Sequence, residues 1–225
     1  MFSMKRIIVR PTSSGLWHVE GGGFGDLLRR ARECEEWATA ADMRFEGVQR
    51  LLDAIPDEDV VLDWNDGGTR AAMELIYASA ADHLAVGEVE MAAALWENLA
   101  AMDEEDHMSV NVLLALCYVE LEDYDCLEEA MFDISTKTPE YHLLSLWSEY
   151  RRTGGIDRDA LRTLRTRHKD WFAEFVAEEH PVDEAYLADS RSERPSARTE
   201  ARELWFASAA VWECNADFLQ TIKKA

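Results

Sequence analysis

Two histidines sit among carboxylates in this chain, and chemistry would be sought there first. His107 directly follows Asp103, Glu104, Glu105 and Asp106. His180 follows Glu178 and Glu179 and precedes Asp183 and Glu184. A histidine beside acids is the raw material of a metal site or of an acid–base pair. Neither stretch has the spacing such a site needs. Zinc binding on one helix uses H-E-x-x-H, which puts two imidazoles on the same face. A calcium loop uses alternating oxygen ligands around a central glycine. Neither histidine stands beside a plausible nucleophile and oxyanion site. The acids at 103–106 suit a helix start instead, where they complement the dipole. Both clusters are read as solvated surface. No catalytic residue, metal or cofactor is expected, and a metal-dependent enzyme is kept only as the last alternative.

Two further motifs fall short for similar reasons. The stretch GGGFGD, beginning at Gly21, lacks the Lys-Ser/Thr pair of a phosphate-cradling loop and has no βαβ unit around it. It is read as a flexible entry into a helix. Cys34, Cys117, Cys126 and Cys214 contain no C-x-x-C pair. Four cysteines in 225 residues make no disulfide scaffold, so a reducing compartment is the default.

Composition narrows the class. Hydrophobic residues make up 48% of the chain, enough for a sizeable core. The net charge of −22 argues against nucleic acid and against anionic membranes, since both call for Lys and Arg. A basic partner is compatible with it. No apolar run approaches a membrane span. The opening MFSMKRIIVRPTSSG lacks the apolar core and cleavage site of a signal peptide, and a cytoplasmic location is expected.

The elements that would carry any site are helical. Residues 1–22 are the exception: Ile7 to Val9 and Leu16 to Val19 flank a Pro-Thr-Ser-Ser-Gly turn and allow a short β-hairpin. From Leu27 to Ile55 the apolar spacing predicts two helices broken near Ala40 to Arg44, with Asp26 as cap. An acidic loop follows, anchored by Val60, Val61, Leu62 and Trp64. Asp66 or Thr69 then caps a helix to Val86, Gly87 turns the chain, and Glu88 to Met102 returns. A second hairpin covers His107 to Pro139 and a third begins at Glu140. The run Arg158, Arg162, Arg165, Arg167 and Lys169 makes one clearly basic helix in an acidic body; a solvated face is the usual meaning of such a run, and internal pairing or self-association is the alternative. The stretch SRSERPSAR is the best linker. The last helix, Thr199 to Lys224, is interrupted at Asn215 or Asp217. It is too apolar to stand alone and must dock on this chain or on a partner.

The first two hairpins repeat. Ala92 and Leu127 are offset as Trp96 and Met131 are, about one 34-residue period apart. GEVEMAAALWENLAAMDEED and EDYDCLEEAMFDISTKTPEY share one layout of turn, helix and polar loop. On these residues the chain resembles the tetratricopeptide repeat family, and DEEDHMSVNVLLALCYVELEDYD looks like a degenerate bacterial subgroup of it. His83 and Ser79 depart from the pattern, where an aromatic and a leucine are usual. The resemblance implies an all-α fold of antiparallel hairpins stacked as a right-handed solenoid. It gives a 1–22 N-terminal segment, a 23–180 repeat domain, and a 181–225 linker with a C-terminal helix packed on the repeats. It further implies a groove lined by the first helix of each hairpin, with Tyr77, Ala81 and Leu84, then Val112, Leu116 and Val119. These are mostly apolar and lack the cations that clasp chaperone C-termini; they suit an apolar segment, the chain's own C-terminal helix included, and equally an ordinary inter-repeat core. The function implied is a non-enzymatic scaffold or adaptor for a protein or peptide partner, basic or apolar, with a homodimer also allowed. The alternative is an acidic chaperone of a secreted or basic partner.

Overall fold

The computed structural model describes residues 6–225; the first five residues of the expected N-terminal segment lie outside the described residues. The described residues form thirteen helices and one two-stranded antiparallel sheet. None of these helices is long and apolar enough to cross a membrane. The chain divides into two compact units. One holds the described residues up to His83 together with Glu88–Val110, and the other holds Leu84–Gly87 with Asn111–Ala225.

In the first unit, strands β1 (Ile8–Pro11) and β2 (Trp17–Glu20) pair antiparallel, with Val9 opposite Val19. A lone hairpin is marginal in water, and this one is tied down from outside. The Trp17 N–H donates to the Val61 carbonyl at 2.8 Å and the Asp63 N–H donates back to the Trp17 carbonyl at 3.0 Å. The Val19 N–H donates to the buried Thr69 hydroxyl at 2.9 Å. The acidic loop therefore acts partly as a third extended segment, with Val60 and Leu62 buried beneath it. Gly21 turns the chain out of the hairpin at φ 81°, where a Cβ would collide with the Arg6 carbonyl oxygen.

Helix α1 (Phe24–Glu33) is followed by α2 (Trp37–Leu52). The break thus falls at residues 34–36, not near Ala40 to Arg44, which lies inside α2. The cap of α1 is Gly23 in the left-handed region, with Asp26 in the first turn. The reason for the earlier break is packing. Gly47 of α2 lies so close to α1 and to the next helix that a Cβ there would sit 2.8 Å from Leu27 and 2.9 Å from Leu75. To bring Gly47 back against Leu27, the chain must reverse before Trp37. Helix α3 (Gly67–Ala85) starts on Asp66, whose carboxylate accepts the Thr69 N–H at 2.8 Å and the Thr69 hydroxyl at 2.7 Å. Those bonds hold the Asp66 carboxyl below the usual carboxylate range. Arg44 of α2 grips Asp82 of α3 with two guanidinium nitrogens, Nη2 at 2.8 Å. Helix α4 (Val89–Met102) returns along α3, with the Trp96 ring 6.1 Å from Tyr77.

Ser79 of α3 is 1% exposed and its hydroxyl has no hydrogen-bond partner among the described residues. A buried unpaired hydroxyl is destabilising by about 1–3 kcal/mol. Ser79→Ala is therefore expected to raise the melting temperature, with a gain of about 1 kcal/mol. A lower melting temperature would mean that the hydroxyl has an acceptor after all.

The second unit contains α5 (Val110–Leu121) from Asn111 onward, α6 (Tyr124–Asp133), α7 (Pro139–Thr153), α8 (Arg158–Arg167) and α9 (Lys169–Phe175). The short α10 (Glu184–Asp189) follows, and then α11 (Ala197–Ala207), α12 (Ala209–Cys214) and α13 (Ala216–Lys224). The expected final helix is therefore three segments, broken at Ser208 as well as at Asn215. Each break is held by a buried polar side chain. The Ser208 hydroxyl donates to the Leu204 carbonyl and accepts the Trp212 indole N–H at 2.7 Å. The Asn215 amide donates to Glu120 of α5 and to the Val211 carbonyl, both at 2.8 Å. The breaks swing Trp212 into the core, 4.8 Å from the Trp147 ring of α7 and 5.4 Å from the Phe175 ring of α9. Further along, Tyr150 donates to Asp217 at 2.8 Å and Arg165 of α8 donates to the Ile222 carbonyl at 2.7 Å.

Candidate functional site

The helix-turn-helix units are built from the turns outward. At the end of α3, Gly87 takes φ 80°; its N–H donates to the Leu84 carbonyl, and the Glu88 N–H reaches back to His83 at 2.9 Å. At the end of α5, Glu122 takes φ 57°; its N–H donates to the Val119 carbonyl, and the Asp123 N–H reaches back to Tyr118 at 3.0 Å. These are the paired bonds of a left-handed helix C-cap, repeated at the offset already seen between Ala92 and Leu127. Asp123 then caps α6 through the Cys126 N–H. The α7 end at Gly154, φ 69°, uses a single bond to the Tyr150 carbonyl, and Asp157 caps α8.

The six predicted surface residues divide by burial. Leu84, Leu116 and Val119 are each 0% exposed and present no surface to a partner. Tyr77, Ala81 and Val112 are half-buried. Tyr77 and Ala81 are one turn apart on α3, which puts them on one face. Burial pushes the Tyr77 hydroxyl above its ordinary pKa, and the Asp106 carboxylate adds to the effect.

The histidine clusters assemble differently from their sequence neighbourhoods. The His107 Nδ1 lies 2.7 Å from the buried Asp103 carboxylate, and its Nε2 lies 3.3 Å from Glu105. Its ring stacks on Trp64 at 4.9 Å. The Asp103 carboxylate also accepts the His107 N–H at 2.9 Å, so the pair closes a loop after α4. His180 is not solvated: its side chain is 9% exposed and stacks 4.0 Å from the Trp205 ring. Nor does it meet the acids adjacent to it. Glu178 faces Lys223, and Asp183 caps α10 by accepting the Tyr186 N–H. Its partner is Glu174, at 3.0 Å.

Glu174 is the group that the sequence reading missed. It is 0% exposed, and its two oxygens are held by Arg202, Arg198 and His180. The Arg202 Nη2 donates at 3.0 Å and the Arg198 Nε at 2.9 Å. The third arm of Arg202 donates to the Pro181 carbonyl at 2.7 Å. Burial alone would raise the Glu174 pKa, but the hydrogen bonds from Arg202, His180 and Arg198 outweigh it and hold the carboxyl at about 2. With each oxygen accepting two such bonds, the carboxylate is saturated; it fastens α9, the 177–183 loop and α11 together. One signal pointed to it. Glu174 lies three residues after Trp171 and next to Phe175, on the apolar face of its helix, where an acid needs a cation.

Among the described residues, no group of three or more His, Cys, Asp or Glu is placed to hold a metal ion. No disulfide joins the four cysteines. The fold and these sites define a class only broadly, as a mostly helical chain of capped helix-turn-helix units with a small N-terminal sheet. Comparison with protein families, curated proteins and solved structures finds no match to the chain.

Proposed function

We propose that this chain is a non-enzymatic scaffold of tetratricopeptide type, which binds a protein or peptide partner through its helix-turn-helix units in the cytoplasm. The observation that carries the reading is the repeated turn. Gly87 with Glu88 and Glu122 with Asp123 make the same pair of backbone bonds at the same repeat offset. Repetition of one supersecondary unit is how extended binding surfaces are made from short helices. The net charge of −22 favours a partner that is basic around an apolar segment. Half-buried positions remain on each unit separately, Tyr77 and Ala81 on α3 and Val112 on α5, since the other three predicted positions are core.

The test is capture of a partner from native lysate by the full chain, beside an Ala81→Glu, Val112→Glu variant first shown to be folded by circular dichroism. A protein held by wild type and lost by the folded variant is the expected result. Equal capture by both forms would overturn the assignment of these positions.

A further inference from the structure

Acids outnumber Lys and Arg by 45 to 23 in this chain, and α8 carries four arginines. Arg158, Leu161, Arg162 and Arg165 follow a spacing of three and four, so they share one helix face. That face borders an open cleft of about 720 Å³, lined by Ile156 and Leu161 among the three guanidinium groups, with Thr166 and Ala225 completing it. Arg165 is committed internally: it donates to the Ile222 carbonyl and lies 4.8 Å over the Phe172 ring. The other two are available. Arg162 pairs only with the exposed Asp159, at 2.8 Å, a contact of little energetic value. The Arg158 side chain is exposed and has no hydrogen bond or ion pair among the described residues.

Helix α6 presents the opposite character. Phe132 is 89% exposed, the most exposed large apolar side chain among the described residues. Asp125, Glu128, Glu129 and Phe132 repeat the three-and-four spacing, so the ring stands at the end of an acidic stripe. All three acids are exposed, and none has a partner among the described residues. An aromatic knob rimmed by acids matches an apolar cleft rimmed by the opposite charge.

We infer that the α8 cleft receives Phe132 and its acidic stripe from α6 of a second copy of this chain. Charge complementarity selects that occupant. The two available guanidinium groups, Arg158 and Arg162, can then pair with acids of the stripe while the Phe132 ring reaches Ile156 and Leu161. Knob and cleft are different surfaces of one chain, so the contact is head-to-tail unless a two-fold axis doubles it. None of these residues belongs to the α3 or α5 surface proposed above, and the two readings stand or fall separately.

Sedimentation equilibrium of the full chain tests the inference. Wild type should associate with rising concentration and associate less in added salt, which screens exposed charges. Phe132→Ala should shift association to much higher concentration. Arg158→Glu with Arg162→Glu should leave only monomer, as should Glu128→Arg with Glu129→Arg. All these positions are exposed, so circular dichroism should be unchanged. Mixing the two charge-reversed proteins should restore association, because each then carries the complement of the other. A wild type that stays monomeric throughout overturns the inference, even if an unrelated acidic peptide occupies the cleft. Association that survives either charge reversal, or that fails to return on mixing, also overturns it.

Discussion

Glu174→Ala is expected to destabilise the protein by about 3–5 kcal/mol, the usual result of breaking a buried ion pair from one side. The loss comes from what is left behind. The Arg202 side chain is 6% exposed and would keep its charge without the carboxylate that compensates it. His180, stacked on Trp205, would lose its acceptor as well. Replacing both partners by apolar residues, Glu174→Leu with Arg202→Met, should cost far less than either single change, because no uncompensated charge remains. Urea denaturation of the three variants measures this, and additive single-site losses would contradict it.

The same site predicts an acid dependence. The Glu174 carboxyl is held at about 2, below its ordinary 4.5. A depressed carboxyl stabilises the folded chain above its unfolded pKa, and that stability drains away as pH falls through the folded value. At about 1.4 kcal/mol per pKa unit, the contribution is about 3 kcal/mol, complete above pH ~5 and gone near pH ~2. The stability gap between wild type and Glu174→Gln should therefore narrow steadily between those limits. A constant gap would show that the carboxyl is not depressed.

Trp212→Ala should have an effect of similar size, about 3–5 kcal/mol, as for other fully buried aromatic side chains. Trp212 is 0% exposed and its ring contacts Trp147, Phe175, Trp205 and Phe218. Its indole N–H also fixes the α11–α12 break through Ser208. Trp212→Phe keeps part of the ring packing but loses that bond, so it should fall between wild type and alanine. Deletion of residues 199–225 removes Trp212 together with Arg202, Phe218 and Ile222. It also uncovers Trp147 and Phe175. The truncated chain should aggregate or melt at a lower temperature. A soluble, monomeric truncation with an unchanged melting temperature would mean that the segment contributes nothing to the core.

The sequence by itself determined the local structure. Asp66 starts a helix and Gly87 and Gly154 end helices, because caps and left-handed turns are made by side chains and backbone within five residues. The apolar spacing marked the helices for the same reason, and Ile7 to Val9 with Leu16 to Val19 marked the hairpin. Tertiary structure decided what lay beyond that range. The break between α1 and α2 was hidden because apolar spacing runs through it; the approach of Gly47 to Leu27 and Leu75 sets it. Glu174 was visible as an acid on an apolar face, but nothing local chooses Arg202 and Arg198 from the 23 Lys and Arg of the chain. The burial of Leu84, Leu116 and Val119 was likewise undetermined, since an apolar side chain suits a core and a binding groove equally well. Only the packed chain, by excluding water from one side chain and leaving it on another, makes that distinction.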